Sequence, residues 1–424
     1  MTTLTEPENT LEYSRSLDAK DKLKSYRDKF FFPQHNGQDV VYFTGNSLGL
    51  QPKTTASYIQ QELNDWARFG VEGHFLAKNP WMAYHEFLTE KMAKVVGALP
   101  KETVMMNQLT VNLHLLMVSF YRPTKQRYKI LCEAKAFPSD QYALQSQIKF
   151  HGFNPDDAMI EVHPREGEYT INEEDIFSAI EKNKDSLALV MIGGVNFFSG
   201  QVFDMKAITL AGHKAGAIVG FDLAHAAGNL KLELHDWNVD FAAWCSYKYL
   251  NSGPGSVAGA FVHEKHLSNV DLPLFAGWWG HDKQTRFLMG KTFVPMQTAE
   301  RWQISNAPVF SMAACRASLD IFDEVGMDAL VEKSKNLAAY LEFVIGEINK
   351  EKNNCLRIIT PVLNRGCQIS IVAHGFGKPL FSKLIENGVI PDWREPNVIR
   401  CAPVPLYNSF EDIHRFSTIL SSLI

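Results

Sequence analysis

The sequence predicts an α/β protein with a large, mostly parallel sheet domain covered by helices and a smaller C-terminal α+β domain. Short apolar runs alternate with helix-like segments through the middle of the 424-residue chain. Such alternation is typical of a parallel sheet with helices on both faces. From about Ser311 the pattern changes to two long amphipathic helices, then strands and two further helices. A chain of this length suggests roughly two to three domains.

The large domain is predicted from the following elements. A first helix is expected in NPWMAYHEFLTEKMAKVVGALP, where Asn79 is the cap, Pro80 lies in the first turn and apolar residues follow at helical spacing. Strands are predicted for the apolar runs YKILCE, LALVMIGG, AIVGFDLA, FAAWCSY and VAGAFVHE. Helices between several of them are predicted for FPSDQYALQSQIKF, NEEDIFSAIEKN and DMKAITLAGHKAG.

The small domain is predicted from a different set of elements. Its two long helices are SMAACRASLDIFDEV and MDALVEKSKNLAAYLEFVIGEIN. Three strands follow, in LRIITP, CQISIVA and NVIRCAP, and the chain closes with the helix SFEDIHRFSTILSSL.

Composition excludes several classes of partner and location. The net charge of −5 gives no reason to expect nucleic acid or an anionic membrane as a partner. No apolar window is long enough to span a bilayer, and the N-terminus lacks an apolar signal core. The six cysteines are scattered without a C-x-x-C pair, so neither a metal site nor a disulfide framework is indicated. We therefore expect a cytoplasmic protein.

Three polar residues stand where two neighbouring strands are predicted to end. Asp222 ends AIVGFDLA, His225 follows it, and Lys248 closes the next apolar run. Taken alone, an aspartate such as Asp222 is most often a turn residue. A lone histidine such as His225 usually forms ordinary hydrogen bonds, and a lysine such as Lys248 is most often a solvated charge. Ligands of an open parallel sheet bind outside the carboxyl ends of its strands, so the three are expected to lie together.

This combination of residues suits pyridoxal phosphate. A buried lysine has a lowered pKa, and its neutral amine can form a Schiff base with an aldehyde. A buried carboxylate can hold a pyridine nitrogen protonated. Leu109 and Thr110 begin a helix whose free N–H groups suit a phosphate. Phe137, after the strand YKILCE, could stack on a flat ring, although core packing is the common alternative for such a residue.

The whole chain resembles the kynureninases, which belong to the fold-type-I, aspartate-aminotransferase-like enzymes that use pyridoxal phosphate. The similarity runs from FTGNSLGLQP to IRCAPVPLYNSFED, and the motifs VGFDLAH, WCSYKYLN, GWWGH and ISN are specific to that family. The resemblance implies hydrolytic Cβ–Cγ cleavage of L-kynurenine and L-3-hydroxykynurenine. The products would be anthranilate or 3-hydroxyanthranilate and L-alanine, in tryptophan catabolism and NAD biosynthesis.

The resemblance also implies residue roles around the cofactor. Lys248 would carry the Schiff base, Asp222 would contact the pyridine nitrogen, and Tyr247 would contact the phosphate and donate a proton. The other cofactor contacts it implies are Leu109, Thr110, Phe137, Pro138, Ser139, Asp140, His225, Trp278 and Asn306. Gly193 stands where some relatives have a hydroxyl, so no role is expected for it.

Three further expectations rest on the resemblance. Arg400 matches the arginine that clamps the substrate carboxylate. Trp278 and Asn306 belong to a site composed by two subunits, which implies an obligate homodimer. We also expect an N-terminal segment (residues 1–65) that contributes to the small domain and to dimer contacts, a large cofactor-binding domain (66–310) and a small C-terminal domain (311–424).

Substrate choice can be predicted in the same way. In relatives that prefer the 3-hydroxy substrate, a histidine and an asparagine lie near the aromatic ring. His74 and Asn306 match them, and Ser47 is expected close by. A pocket built to hydrogen-bond a hydroxyl discriminates against a substrate that lacks it. We therefore expect 3-hydroxykynurenine to be the better substrate.

Three alternatives compete with this interpretation. A desulfurase-like lyase needs a cysteine nucleophile on a mobile loop, but Cys367 and Cys401 fall within predicted strands. A nicotinamide-dependent oxidoreductase needs G-x-G-x-x-G between a strand and a helix, whereas NSGPGSVAGA runs from a turn into a strand. An inactive interaction protein without pyridoxal phosphate stays open at this stage, and an absorption spectrum would separate it from the enzymes.

Overall fold

The structure is a computed structural model and describes residues 6–424. Within that range the strands are β1 (Gln34–His35), β2 (Gln38–Asp39), β3 (Val41–Tyr42), β4 (Thr103–Met105), β5 (Lys129–Glu133), β6 (Met159–Val162), β7 (Leu187–Gly193), β8 (Ile218–Asp222), β9 (Phe241–Trp244), β10 (Gly259–Val262), β11 (Leu356–Ile358), β12 (Ile369–Ala373), β13 (Val389–Ile390), β14 (Asp392–Arg394) and β15 (Val398–Cys401).

The helices of the same range are α1 (Leu11–Lys20), α2 (Thr55–Phe69), α3 (Gly73–Leu76), α4 (Glu86–Val96), α5 (Leu109–Phe120), α6 (Pro138–Phe150), α7 (Pro155–Ala158), α8 (Glu173–Lys182), α9 (Met205–Lys214), α10 (Val309–Val325), α11 (Met327–Glu351), α12 (Gly377–Glu386) and α13 (Phe410–Leu423). Among these described helices, none combines the length and the apolar character that crossing a bilayer requires.

A seven-stranded sheet forms the centre of the molecule, in the order β4-β10-β9-β8-β7-β5-β6. Neighbouring strands from β9 to β6 pair in parallel, whereas β10 pairs antiparallel with β9 and with β4. Every residue of β9 and β10 is buried. Strands covered on both faces need continuous apolar runs, which is the pattern in the sequence. The predicted α/β fold with a mostly parallel sheet is therefore confirmed.

Helices alternate with the parallel strands, and their starts follow from local chemistry. Pro138 occupies the first turn of α6, where its missing N–H costs no hydrogen bond. Asn172 and Asp204 cap α8 and α9 with side-chain oxygens that accept backbone N–H groups. Because α6 begins soon after β5 ends, its first turn lies at the carboxyl edge of the sheet.

A smaller antiparallel sheet, in the order β11-β12-β15-β14, forms the C-terminal α+β part. Helices α11 and α13 contribute their apolar side chains to the same core as this sheet. The N-terminal part of the chain joins it, because β3 pairs with β13 and α1 packs along α13. The small C-terminal α+β part is confirmed, and the boundaries 1–65, 66–310 and 311–424 stay a prediction.

The helix predicted from Asn79 onward was placed too early. In the structure α4 begins at Glu86, after an extended Pro80 and a 3-10 turn over Trp81–Ala83. The Asn79 side chain does not cap a helix but donates to the carboxylate of Glu62 at 2.7 Å. The indole N–H of Trp81 donates to the same carboxylate at 3.0 Å. A buried carboxylate that needs donors thus overrides the local helical pattern.

The strands of the structure are shorter than the apolar runs that predicted them, and in two cases this changes where a candidate residue lies. The FAAWCSY strand ends at Trp244, and the N–H of Ser252 donates to the carbonyl of Ser246 at 3.1 Å to close a turn. Lys248 therefore lies in a turn beyond its strand. Cys367 precedes β12, because its N–H donates to the Asn229 side chain at 3.0 Å rather than to a neighbouring strand. Cys367 is nevertheless fully buried.

Candidate active site

A cavity of about 270 Å³ opens at the carboxyl edge of the central sheet. Strands β5, β7 and β8 end there, and helices α5 and α6 begin there. The cavity brings together most of the cofactor residues expected from the sequence: Leu109, Thr110, Phe137, Ser139, Asp140, Asp222, His225, Tyr247 and Lys248. Pro138 lies between two of these lining residues, at the start of α6. This edge is where ligands bind in open parallel sheets.

Asp222 is the last residue of β8 and is almost fully buried. The backbone N–H of Ala224 donates to its Oδ1 at 2.6 Å. Burial raises the pKa of Asp222. Burial and the neighbouring Asp222 carboxylate raise the pKa of Asp140 well above its usual range. Two negative charges so close together in a buried site are therefore unfavourable.

His225 lies buried beside this carboxyl pair. Burial lowers its pKa well below the usual value, and the positive charges of Lys248 and Arg400 lower it further. Its ring is therefore neutral at physiological pH. No described residue forms a hydrogen bond with Nδ1 of His225, although that atom is buried. A buried polar atom without a partner indicates that a ligand is to be bound here.

Lys248 projects into the cavity rather than being enclosed by the core, and it is partly exposed, as is its neighbour Tyr247. Its Nζ lies 5.7 Å from the ring centroid of Phe137. The turn that holds it is packed closely against the GNSLGL segment, since a Cβ on Gly49 would lie 2.4 Å from the Lys248 carbonyl oxygen. Gly49 also donates its N–H to the carbonyl of Tyr247 at 2.8 Å. Only glycine permits this approach.

The start of α5 offers an anion site on another side of the cavity. Gln108 is the N-cap, and its side chain accepts no hydrogen bond from the first turn. The free N–H groups of that turn, at Leu109 and Thr110, suit a phosphate. Burial raises the pKa of the nearby Tyr247, so its phenol stays protonated and can donate a hydrogen bond.

Sequence reasoning missed Glu133, which also lines the cavity. It ends β5 and is 4% exposed. Burial raises its pKa to about 7. The signal was present, because Glu133 is the polar last residue of an apolar strand, as Asp222 is.

Arg400 lies next to the cavity without lining it. It is fully buried on β15 and donates through Nη1 to the carbonyl of Phe197, a residue that does line the cavity. Its Nη2 donates to Asp392 and, at 3.3 Å, to the hydroxyl of Ser47. Ser47 therefore contacts the arginine expected to hold the substrate carboxylate. Neither Asp392 nor Arg394 beside it was expected from the sequence.

His74, Trp278 and Asn306 do not line this cavity within residues 6–424. His74 hydrogen-bonds through Nδ1 to the carbonyl of Val71 at 2.9 Å. Trp278 is 43% exposed, and Asn306 is also exposed. In a single chain these three residues stand apart from the group around Lys248.

The arrangement fits pyridoxal phosphate on features of this chain alone. An accessible lysine amine, a buried carboxyl group, an unpartnered His225 nitrogen and a helix N-terminus surround one cavity. The lysine amine suits the aldehyde of the cofactor and the carboxyl group suits its ring nitrogen. The histidine nitrogen suits a ring substituent, and the helix N-terminus suits the phosphate. The order of the site residues along the sheet edge follows from the strand order, since Glu133, Gly193 and Asp222 end the adjacent strands β5, β7 and β8.

Solved structures of low sequence identity share this fold. A cysteine desulfurase from Escherichia coli superimposes with a TM-score of 0.76 over 95% of this chain and 98% of its own, at 16% identity. A cysteine desulfurase from Thermococcus onnurineus gives a TM-score of 0.75 over 91% of this chain and 94% of its own, also at 16% identity. These likenesses show the fold-type-I architecture.

Close relatives show the family. The kynureninase of Flavobacterium psychrophilum is 60% identical over 415 residues, covering 97% of this chain and 98% of the relative. Those of Myxococcus xanthus and Nematostella vectensis are 56% and 50% identical, covering 96% and 97% of this chain and 96% and 93% of their own. A family model described as the kynureninase C-terminal domain matches residues 330–420. The chain belongs to the kynureninase family, the hydrolases that use pyridoxal phosphate to cleave a carbon–carbon bond.

Proposed function

We propose that this chain hydrolyses the Cβ–Cγ bond of L-kynurenine to give anthranilate and L-alanine, serving tryptophan catabolism and NAD biosynthesis in the cytoplasm. The observation that carries the proposal is the grouping of Lys248, Asp222 and Tyr247 around one cavity, with Arg400 behind its wall. Relatives that are 50–60% identical over nearly the whole chain and bear the name kynureninase support it.

The chain's own residues account for how the cofactor is held. Lys248 would bind the aldehyde carbon covalently, and the first turn of α5 with the Tyr247 phenol would bind the phosphate. Phe137 would lie on the ring. Asp222 would keep a proton at the pyridine nitrogen through a charge-assisted hydrogen bond, with Asp140 beside it. When bound, pyridoxal phosphate supplies an electron sink that stabilises negative charge at the substrate α-carbon.

Arg400, Lys248 and Tyr247 would act on the substrate. Arg400 would bind its carboxylate and so fix the α-carbon near Lys248. Once released from the cofactor, the Lys248 amine would take the α-proton. Tyr247 is adjacent in sequence and stays protonated at physiological pH, so it would donate the proton that completes alanine.

We further propose that the protein is a homodimer in which His74, Trp278 and Asn306 of one subunit complete the site of the other. Large apolar side chains near these residues are exposed in the single chain: Val71, Phe75, Leu76, Phe287, Leu288 and Met289. An exposed apolar surface of this kind supports a protein partner. In the dimer His74 and Asn306 would hydrogen-bond the 3-hydroxyl group, which makes 3-hydroxykynurenine the preferred substrate.

The activity is tested by incubating the purified holoenzyme with kynurenine and following anthranilate fluorescence. Appearance of anthranilate with an equal amount of alanine supports the proposal, and absence of both contradicts it.

The composite site is tested by mixing Lys248→Ala with Asn306→Ala subunits under conditions that exchange them. Each homodimer should be impaired, while mixed dimers carry one intact site and regain activity. No recovery in proven mixed dimers contradicts the shared site.

A further inference from the structure

One carboxylate, Asp392, lies between two arginines beside the cavity. Its Oδ2 accepts hydrogen bonds from Nη2 of Arg400, from Nη2 of Arg394 at 3.2 Å and from the Ser47 hydroxyl. The side chains of Arg400, Asp392 and Arg394 are 0%, 11% and 33% exposed. The group is thus largely removed from water.

The small sheet holds these residues in register. Asp392 on β14 stands directly opposite Arg400 on β15. Arg394 lies two residues after Asp392 on the same strand, which places the two on one face of the sheet. Arg400 is tied to the cavity through Phe197, and Arg394 lies over the Phe197 ring at 5.9 Å from its centroid. Both guanidinium groups therefore adjoin one residue of the cavity wall.

The charges of this group do not cancel. Two guanidinium groups and one carboxylate leave one positive charge. Arginine stays protonated in proteins, so this charge cannot be lost by titration. A largely buried positive charge is costly unless an anion balances it. One added negative charge would therefore make the group of Arg394, Arg400 and Asp392 neutral.

The hydrogen bonds are also incomplete. Nε of Arg394 and Nε of Arg400 are both buried, and no acceptor for either lies within the described chain. Buried donors without partners are rare in folded proteins. Two spare guanidinium donors beside one surplus positive charge call for a ligand that only accepts hydrogen bonds and carries one negative charge. A carboxylate meets both conditions.

We propose that Arg394 and Arg400 together form the site for the substrate carboxylate, and that Asp392 is the positioning residue that limits this site to a single negative charge. The proposal rests on the proposed cleavage of kynurenine. It adds Arg394 as a second residue that recognises the carboxylate and gives Asp392 a role in specificity. Removal of the Asp392 charge should open the site to dianions.

The test measures binding to the holoenzyme by titration calorimetry with two probes that cannot react through an amine. One is kynurenine without its α-amino group, a monocarboxylate. The other carries a second carboxylate where the amino group was. In Asp392→Asn, the dissociation constant of the dicarboxylate should fall about tenfold or more relative to that of the monocarboxylate, because one more unit of positive charge faces it. Glu395→Gln is the matched control, since it removes a charge from an exposed neighbour that pairs with Lys378.

Arg394 is tested with two variants of its own. Arg394→Gln should weaken monocarboxylate binding about tenfold and raise KM for kynurenine with little change in kcat, and Arg394→Lys should restore most of the loss.

If circular dichroism shows that Asp392→Asn does not fold, the two Arg394 variants decide the proposal alone. An unchanged ratio of the two dissociation constants in folded Asp392→Asn, or parental affinity in Arg394→Gln, overturns it. If either of these results is obtained while the parent cleaves kynurenine, the proposed anion site fails and the proposed function stands. If the ratio shifts but no anthranilate forms, the anion site stands and the proposed function fails.

Discussion

The backbone N–H of Gly193 donates to both carboxylate oxygens of Glu133, at 3.1 and 3.3 Å. The two residues end the neighbouring strands β7 and β5. A Cβ at position 193 would lie 2.9 Å from Oε1 of Glu133, so a larger residue would displace the carboxylate. This contact accounts for a glycine at position 193, and both residues line the cavity.

The burial of Glu133 predicts a pH-dependent gain in stability for Glu133→Gln. Burial raises the folded-state pKa to about 7, whereas the unfolded value is about 4.3. The folded protein thus binds the proton more tightly, and stability is lost as pH rises through that interval. Unfolding of the cofactor-free protein by urea should show Glu133→Gln more stable than the parent at pH 8 by on the order of 2–4 kcal/mol, with almost no difference at pH 4.

The matched control for this experiment is Glu161→Gln on the adjacent strand β6, where the glutamate is exposed. The difference in unfolding free energy between Glu161→Gln and the parent should be the same at pH 4 and at pH 8. A Glu133→Gln variant with the same difference at pH 4 and pH 8 would show that the Glu133 carboxyl has the same pKa in the folded and the unfolded protein, which contradicts the prediction.

Replacement of Lys248 by Ala should abolish turnover while leaving the fold intact, because among the described residues that line the cavity only Lys248 has an amine that can bind the cofactor covalently. Borohydride reduction of the parent followed by peptide mapping should place the cofactor on the peptide that contains Lys248. Lys335→Ala, which removes an exposed lysine of α11, is the control and should behave as the parent. A label on any other lysine contradicts the prediction.

Asp222→Asn should retain the cofactor but slow removal of the substrate α-proton by on the order of a hundredfold, since the neutral amide loses a charge-assisted hydrogen bond to the pyridine nitrogen. The measurement is exchange of the α-proton with deuterated water, followed by proton NMR, together with kcat. Near-normal exchange in a variant that still shows the cofactor absorption band would remove Asp222 from this role.

Substrate preference should depend on His74 and Asn306. We expect the parent to favour 3-hydroxykynurenine over kynurenine in kcat/KM. Replacing His74 by Phe and Asn306 by Leu should narrow that preference by about ten- to hundredfold, because the hydroxyl then loses its partners. Steady-state kinetics with both substrates measure the change. A parent that already prefers kynurenine contradicts the prediction and leaves the roles of Lys248 and Asp222 untouched.

The residues that could be predicted from the sequence share one property. Asp222, Phe137 and the start of α5 follow directly from where a strand or a helix ends, and such ends are visible in the pattern of apolar residues. Asp392 and Arg394 gave no comparable signal, because their significance comes from Arg400 standing opposite them in a sheet. The prediction that Asn79 caps a helix was wrong for a related reason. Its partner Glu62 lies in α2, and only packing brings the two residues together.

The sequence by itself determined the α/β fold, the family and most of the residues that line the cavity at the sheet edge, because each rests on local periodicity or on motifs that stay contiguous along the chain. The tertiary structure decided which polar and charged groups lie beside one another. Asp140 with Asp222, Glu133 with Gly193, and Asp392 between two arginines are contacts between separate elements. Their energetics depend on burial and on distances of a few ångströms, which the packing of strands and helices sets and no local pattern encodes.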